Sequence, residues 1–215
     1  MDLNISEYID YTLLKADATE ESFEKLCHEA SENKFCSVCV PSYMIKSCKD
    51  FLSGSKVKIA TVAAFPLGYS SSGVKLFEIE NALAAGADEI DVVMNVSALK
   101  SGNVSYVENE FAQMRKAAGN NILKIIIETC YLSKEEIVTA SRLVAGSGAD
   151  FVKTSTGYGT AGAKLEDVIL IKQSLPESVK IKASGGIKNL NQALDFINAG
   201  VSRIGTSSLL LSENK

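Results

Sequence analysis

The sequence predicts a single-domain α/β protein, residues 1–215 wound as one (β/α)8 TIM barrel, and three observations carry that expectation. Eight short apolar segments alternate with helical stretches, which demands parallel strand pairing. A pattern of glycine, two spacer residues and strand recurs in AAGADEIDVV, GSGADFVKTS and NAGVSRIGTS, the αL-capped turn from helix to strand that glycine permits. The chain has 215 residues, 46% of them hydrophobic and only three of them proline, which suits one sizeable core without a linker. Eight βα units in about 200 residues fit a closed barrel better than its rival, an open doubly wound sheet. No GxGxxG or GxxxxGK[ST] stands where a dinucleotide or P-loop fold would need one.

The predicted strands follow in order: Ile9 to Leu13, Cys36 to Val40, Lys58 to Phe65, Glu89 to Asn95, Leu123 to Glu128, Asp150 to Thr154, Val179 to Ala183 and Arg203 to Thr206. Each is apolar, short and bounded by polar or glycine residues. Helix signals lie between them. Thr19 to Asn33 opens with Thr19-x-x-Ser22 and a run of Glu, and Gly73 to Ala87 follows the third strand. Ser133 to Gly148 opens with Ser133-x-x-Glu136, the pattern of a capping box.

Composition narrows the setting. A net charge of −4 attracts neither nucleic acid nor an anionic membrane surface. The N-terminus, MDLNISEYID, lacks the basic and apolar regions of a signal peptide, and no apolar run approaches the roughly 18 residues of a membrane span. A soluble, cytoplasmic protein is expected. Five scattered cysteines suit free thiols in a reducing compartment. Cys36 and Cys39 form a lone CxxC; as strand residues three apart they would face opposite sides and share no ligand.

Strand alternation indicates which polar side chains point inward. In EIDVVMN, Glu89, Asp91, Val93 and Asn95 share one face, while Ile90, Val92 and Met94 share the face expected to meet the helices. Asp91 therefore points into the barrel. Two lysines end apolar strands, Lys153 in ADFVKTSTG and Lys182 in VKIKASGGI, and with Asp91 they converge on the C-terminal face where barrel active sites sit. A second ammonium beside an Asp–Lys pair disfavours protonation of its neighbour. At pH 7 an unperturbed lysine is only about 0.04% free amine; lowering its pKa by roughly three units, at a cost of about 4 kcal/mol, makes about half of it nucleophilic. Such an amine suits Schiff-base chemistry on a carbonyl, with the second lysine lowering its pKa and the aspartate moving protons. Each residue taken alone also fits a solvated lysine or a structural ion pair. The turns Thr156-Gly157, Ser184-Gly185-Gly186 and Gly205-Thr206-Ser207-Ser208 follow strands six, seven and eight, the last two leading into helices. Their amides and hydroxyls favour a phosphate site over plain tight turns.

IDYTLLKADAT, EIDVVMN, LKIIIET, ADFVKTSTGYGTAGA, KIKASGGI and RIGTSSLL resemble, in order and over nearly the whole chain, the deoxyribose-phosphate aldolase family. The resemblance implies a class I aldolase, free of metal and organic cofactor, that reversibly cleaves 2-deoxy-D-ribose 5-phosphate to acetaldehyde and D-glyceraldehyde 3-phosphate. Carried over by motif, Lys153 would form the Schiff base, Asp91 would transfer protons, and Lys182 would perturb Lys153 and assist proton transfer. Asp10 and Thr12 would lie near the sugar, and Gly157, Gly185, Gly186, Gly205, Ser207 and Ser208 would surround the phosphate. The chain has DYTLLKA where the family often has DHTLLKP; Tyr11 alternates away from Asp10 and Thr12 and is expected to serve packing. Only seven residues follow Ser208, so a short or incomplete eighth helix is expected.

The competing readings are another Schiff-base aldolase or transaldolase with a different donor, and a non-catalytic phosphosugar-binding barrel, which would need neither Asp91 nor a second lysine. A zinc-dependent aldolase is disfavoured because His28 is the only histidine. The expected partner is a small phosphorylated sugar, with neither nucleic acid nor membrane. The sequence leaves the assembly open, a homodimer and a homotetramer both being possible.

Overall fold

A computed structural model describes residues 4–208. Eight parallel strands close into a barrel in sequence order: β1 (Ile9–Thr12), β2 (Ser37–Val40), β3 (Lys58–Ala63), β4 (Glu89–Val93), β5 (Ile122–Ile126), β6 (Phe151–Lys153), β7 (Lys180–Ser184) and β8 (Arg203–Thr206). β8 pairs with β1 through Asp10 opposite Gly205, so the ring is complete and the open-sheet rival is excluded.

Helices α1 (Glu20–Glu32), α2 (Ile45–Phe51), α3 (Ser72–Ala85), α4 (Val96–Lys100), α5 (Val104–Ala118), α6 (Lys134–Ser147), α7 (Leu165–Ser174) and α8 (Leu190–Asn198) cover the outside. The outward face of each strand meets them through residues such as Ile90, Val92, Ile125, Val152 and Ile204, all fully buried. Tyr11 joins this layer, its ring edge-on to Phe35 and its hydroxyl donating to Glu29 at 2.9 Å. Among the described residues no helix is long and apolar enough to cross a membrane.

Local chemistry sets the ends of these elements. Gly86, Gly148 and Gly200 each adopt a positive φ at the close of α3, α6 and α8, and each is followed by two residues and then a strand, the repeat read in the sequence. Three predicted strands end two residues early. Ala64 turns to φ 51° and closes β3; Asn95 caps α4 by accepting the Ala98 N–H at 3.0 Å; Glu128 adopts φ 54° and leaves β5 ending at Ile126. A residue in the left-handed region cannot continue a pleated ladder. The helix expected after β8 lies outside the described residues.

The capping box at α6 has both bonds: Ser133 Oγ accepts the Glu136 N–H at 3.2 Å, and the Glu136 carboxylate accepts the Ser133 N–H at 2.7 Å. Replacing such a cap typically costs about 1 kcal/mol. Ser133→Ala is expected to lower Tm by roughly 2–4 °C in a protein of this size, read by calorimetry.

Candidate active site

The barrel interior is charged. Glu89, Asp91, Lys124, Lys153, Lys182 and Arg203 point inward from β4 to β8, and Asp10 does so from β1; none is more than 8% exposed. Parallel register puts Asp91 opposite Lys124, Lys153 opposite Lys182, and Lys182 opposite Arg203. Asp91 accepts from three ammonium groups, Lys124 at 2.8 Å on Oδ1 and Lys153 at 2.7 Å with Lys182 at 2.8 Å on Oδ2. Lys182 Nζ also lies 2.5 Å from Asp10 Oδ2, an ion pair off the hydrogen-bond direction. Asp10 accepts in addition from Ser37 at 2.7 Å and Arg203 at 2.5 Å on Oδ1. Toward the N-terminal end, Glu89 takes Lys124 at 2.5 Å and Arg203 Nη2 at 2.9 Å, and both of these cations lie within 6 Å of the Phe151 ring centroid.

Three carboxylates, Asp10, Glu89 and Asp91, therefore face four cations, Lys124, Lys153, Lys182 and Arg203. One positive charge is in surplus, and the surroundings distinguish the lysines that share it. Burial opposes the charge of Lys182, but Asp10 and Asp91 outweigh it and raise its pKa. Lys124 is likewise raised, held by Asp91, Asp10 and Glu89 against burial and the Lys182 charge. Lys153 goes the other way: burial, joined by repulsion from Lys182, outweighs Asp91 and lowers its pKa. Asp91 is held well below the carboxylate range because its three lysines outweigh its burial. Lys153 is thus the one lysine of this cluster whose pKa is lowered.

Lys153 is 3% exposed and reaches the floor of a cavity of about 450 Å³ at the C-terminal mouth. Thr12, Gly157, Gly185, Gly186, Gly205, Ser207 and Ser208 line the same cavity. The structure thus gathers eight of the eleven expected site residues around one opening and places Asp91, Lys182 and Asp10 beneath it. Asp10 lies in the interior charge layer rather than on the cavity wall. Gly157, Gly185 and Gly186 have φ between 79° and 87°, a conformation side chains disfavour. Gly205 has a different reason for lacking a side chain: a Cβ there would stand 2.8 Å from Ser184 Cβ and 3.1 Å from Lys182 Cε. The bare position leaves passage for the lysine.

A second cavity, of about 590 Å³, adjoins the first above β4 and β5, and Thr156 and Tyr158 line both. Tyr158 Oη donates to Leu14 O at 2.7 Å, carrying the side chain from the loop after β6 across to the loop after β1.

Sequence reasoning missed Lys124, Glu89 as a partner, Arg203, Lys15, Lys188 and Glu128. The signal for Lys124 was present, since a lysine flanked by Leu123 and Ile125 obeys the alternation already applied to Asp91. Lys15 stands three residues after β1 and Lys188 two after the GG pair, and both supply the mouth with positive charge.

The closed barrel and its buried lysine cluster define the class, and comparison with known proteins sharpens it. The DeoC/LacD family aldolase profile matches residues 6–211. The deoxyribose-phosphate aldolase of Brevibacillus brevis is 50% identical over 206 residues, 96% of this chain and 93% of the relative; that of Clostridioides difficile is 45% identical over 206 residues, 96% of this chain and 94% of the relative. A crystal structure of a putative deoxyribose-phosphate aldolase from Coccidioides immitis superposes with TM-score 0.92 at 36% identity, covering 95% of this chain and 82% of that one. The tetrameric deoxyribose phosphate aldolase of Aeropyrum pernix gives TM-score 0.87 at 32% identity over 94% and 86%. The chain belongs to the DeoC/LacD family of aldolases.

The surplus charge makes a direct prediction. Lys182→Met leaves three cations facing three carboxylates, so Asp91 retains the Lys153 proton and the Lys153 pKa rises. Reductive ethylation of Lys153 by acetaldehyde and cyanoborohydride is expected to slow at pH 7 and to recover as pH increases. A profile lowered equally at every pH would contradict the electrostatic assignment.

Proposed function

We propose that the chain is a class I deoxyribose-phosphate aldolase, reversibly cleaving 2-deoxy-D-ribose 5-phosphate to acetaldehyde and D-glyceraldehyde 3-phosphate through a Schiff base on Lys153. The observation that carries this reading is the single surplus ammonium, located at the one interior lysine that lines the mouth and has a lowered pKa. The neutral amine adds to the C1 aldehyde of the open-chain sugar, and loss of water gives the iminium. A proton leaves the C3 hydroxyl, the C2–C3 bond breaks, and its electron pair moves into the iminium to form an enamine. Protonation at C2 and hydrolysis then release acetaldehyde and regenerate the amine.

Asp91 and Lys182 lie beneath the reacting carbon and form the proton path in this reading. Removing the Lys153 proton balances the interior at three cations and three carboxylates, and the iminium restores a positive charge beside Asp91, where the carboxylate stabilises it. At the opposite side of the cavity the amides of Gly157, Gly185 and Gly186, the hydroxyls of Ser207 and Ser208, and the ammonium groups of Lys15 and Lys188 suit a phosphate dianion. Thr12 meets the sugar between the two ends, and Asp10 acts through Lys182. The overall charge of −4 gives polyanions no attraction, so a small anion is bound by this local set. Kinship with the tetrameric Aeropyrum pernix enzyme supports a homo-oligomer.

Borohydride added with acetaldehyde is expected to inactivate the enzyme and leave an N-ethyl group on Lys153, located by peptide mapping. Lys153→Ala abolishes both trapping and release of acetaldehyde from deoxyribose 5-phosphate. An adduct mainly on Lys182 would reverse the two roles.

Ser208→Asp places a negative charge where the phosphate binds. KM for deoxyribose 5-phosphate is expected to increase at least tenfold, by roughly 1.4 kcal/mol or more, while turnover of unphosphorylated deoxyribose changes little. Equal loss on both substrates would place the damage in the chemistry or the fold.

A further inference from the structure

The mouth is roofed by the segment after β6, and that segment is gripped from below by one buried carboxylate. Glu128 is 2% exposed and adopts φ 54°, ψ 67°, a left-handed conformation that non-glycine residues disfavour. The turn aims its side chain back under the segment. Both carboxylate oxygens accept the Thr156 N–H, each at 3.2 Å, and Oε2 also accepts the Thr156 hydroxyl. Thr156 Oγ1 in turn accepts the Tyr158 N–H at 3.0 Å. Gly159 closes onto the same carboxylate: a Cβ there would lie 3.3 Å from Glu128 Oε1 and 2.7 Å from Cys130 Sγ.

The grip ends in Tyr158. Its side chain is 54% exposed, yet its hydroxyl donates to Leu14 O and its ring stands edge-on to Phe65 at 5.3 Å. An exposed aromatic held at both its hydroxyl and its ring edge forms a partition, and it separates the cavity above Lys153 from the larger one above β4 and β5. The Schiff-base cycle proposed above assigns no bond-making or bond-breaking step to Glu128 or Tyr158.

Resting on the reading of Lys153 and the phosphate turns given above, we propose that Glu128 is a positioning residue: through Thr156 it holds Tyr158 as a strap across the mouth, which confines the phosphorylated sugar to the Lys153 cavity. The carboxylate also fixes Thr156 beside Gly157, so strap and phosphate turn are aligned by one anchor. Acetaldehyde is small enough to reach Lys153 whether or not the strap is in place, whereas the five-carbon phosphate needs the wall. Burial raises the Glu128 pKa, and the Thr156 bonds offset that shift only in part.

The test uses Glu128→Gln and Tyr158→Phe in the full-length protein. Glutamine keeps one acceptor and turns an N–H2 toward Thr156, a donor, while phenylalanine keeps the ring and loses only the bond to Leu14. Each is expected to raise KM for deoxyribose 5-phosphate by about tenfold, with kcat within a factor of about two and borohydride trapping of acetaldehyde on Lys153 unchanged. The double variant should show little more than either single change, because both act through one strap. Hydrogen exchange across residues 155–162 should quicken in Glu128→Gln while the barrel strands keep their protection. An unchanged KM, KM effects that multiply, trapping lost in step with turnover, or unchanged exchange in 155–162 would overturn the proposal. If the wild-type protein fails to cleave deoxyribose 5-phosphate, the functional reading falls by itself, and exchange in 155–162 then decides whether Glu128 holds the strap.

Discussion

Asp91 receives three ammonium groups inside a barrel that leaves it no exposure to water. Moving an ion into such an interior costs several kcal/mol, and a close counter-ion with good hydrogen bonds is what offsets it. Every other charge in the layer follows from this demand. Asp91 alone cannot neutralise three lysines, so Asp10 takes Lys182 and Glu89 takes Lys124, while Arg203 bridges Asp10 and Glu89. The arrangement leaves one cation without a carboxylate of its own. Lys153 is that cation, and it is also the lysine at the mouth.

The barrel makes this possible because parallel register is rigid. Lys153 and Lys182 are direct cross-strand neighbours, a pairing of like charges that opposes folding when nothing intervenes. Asp91 lies between them and converts repulsion into a means of lowering one pKa. Closure adds the rest: β8 must meet β1 for Arg203 to reach Asp10. An open sheet built from the same strands would leave Asp10 and Arg203 at opposite edges. The outer layer has a smaller version of the same economy, Lys75 between α3 and α5 donating to Glu110 and to Val93 O, both at 2.9 Å.

Above the charge layer the loops divide the work. Those after β7 and β8 present backbone and hydroxyl groups around glycines whose φ angles or crowding admit no side chain. The loop after β6 instead carries a tyrosine over the opening, anchored through Thr156 to a glutamate from the loop after β5. Gly162 fits this loop onto its neighbour: a Cβ there would stand 2.1 Å from Gly185 O.

The sequence by itself determined the number and order of the strands, the glycine turns that launch three of them, and the inward direction of Asp91, because periodicity two and backbone permissiveness are local properties. It also determined that Lys153 ends its strand beside a Gly- and Ser-rich turn, whereas Lys182, expected near a strand end, lies two residues before the end of β7. Strand ends at Asn95 and Glu128 were not legible, since a side-chain cap and a left-handed residue override an apolar run without changing its pattern. Only the tertiary structure decided which lysine of the cluster has its pKa lowered. That choice depends on a count over six strands and on distances of 2.5–2.8 Å among Lys124, Lys153, Lys182, Asp10 and Asp91. Coulomb energy varies with separation in space, and no spacing along the chain encodes it.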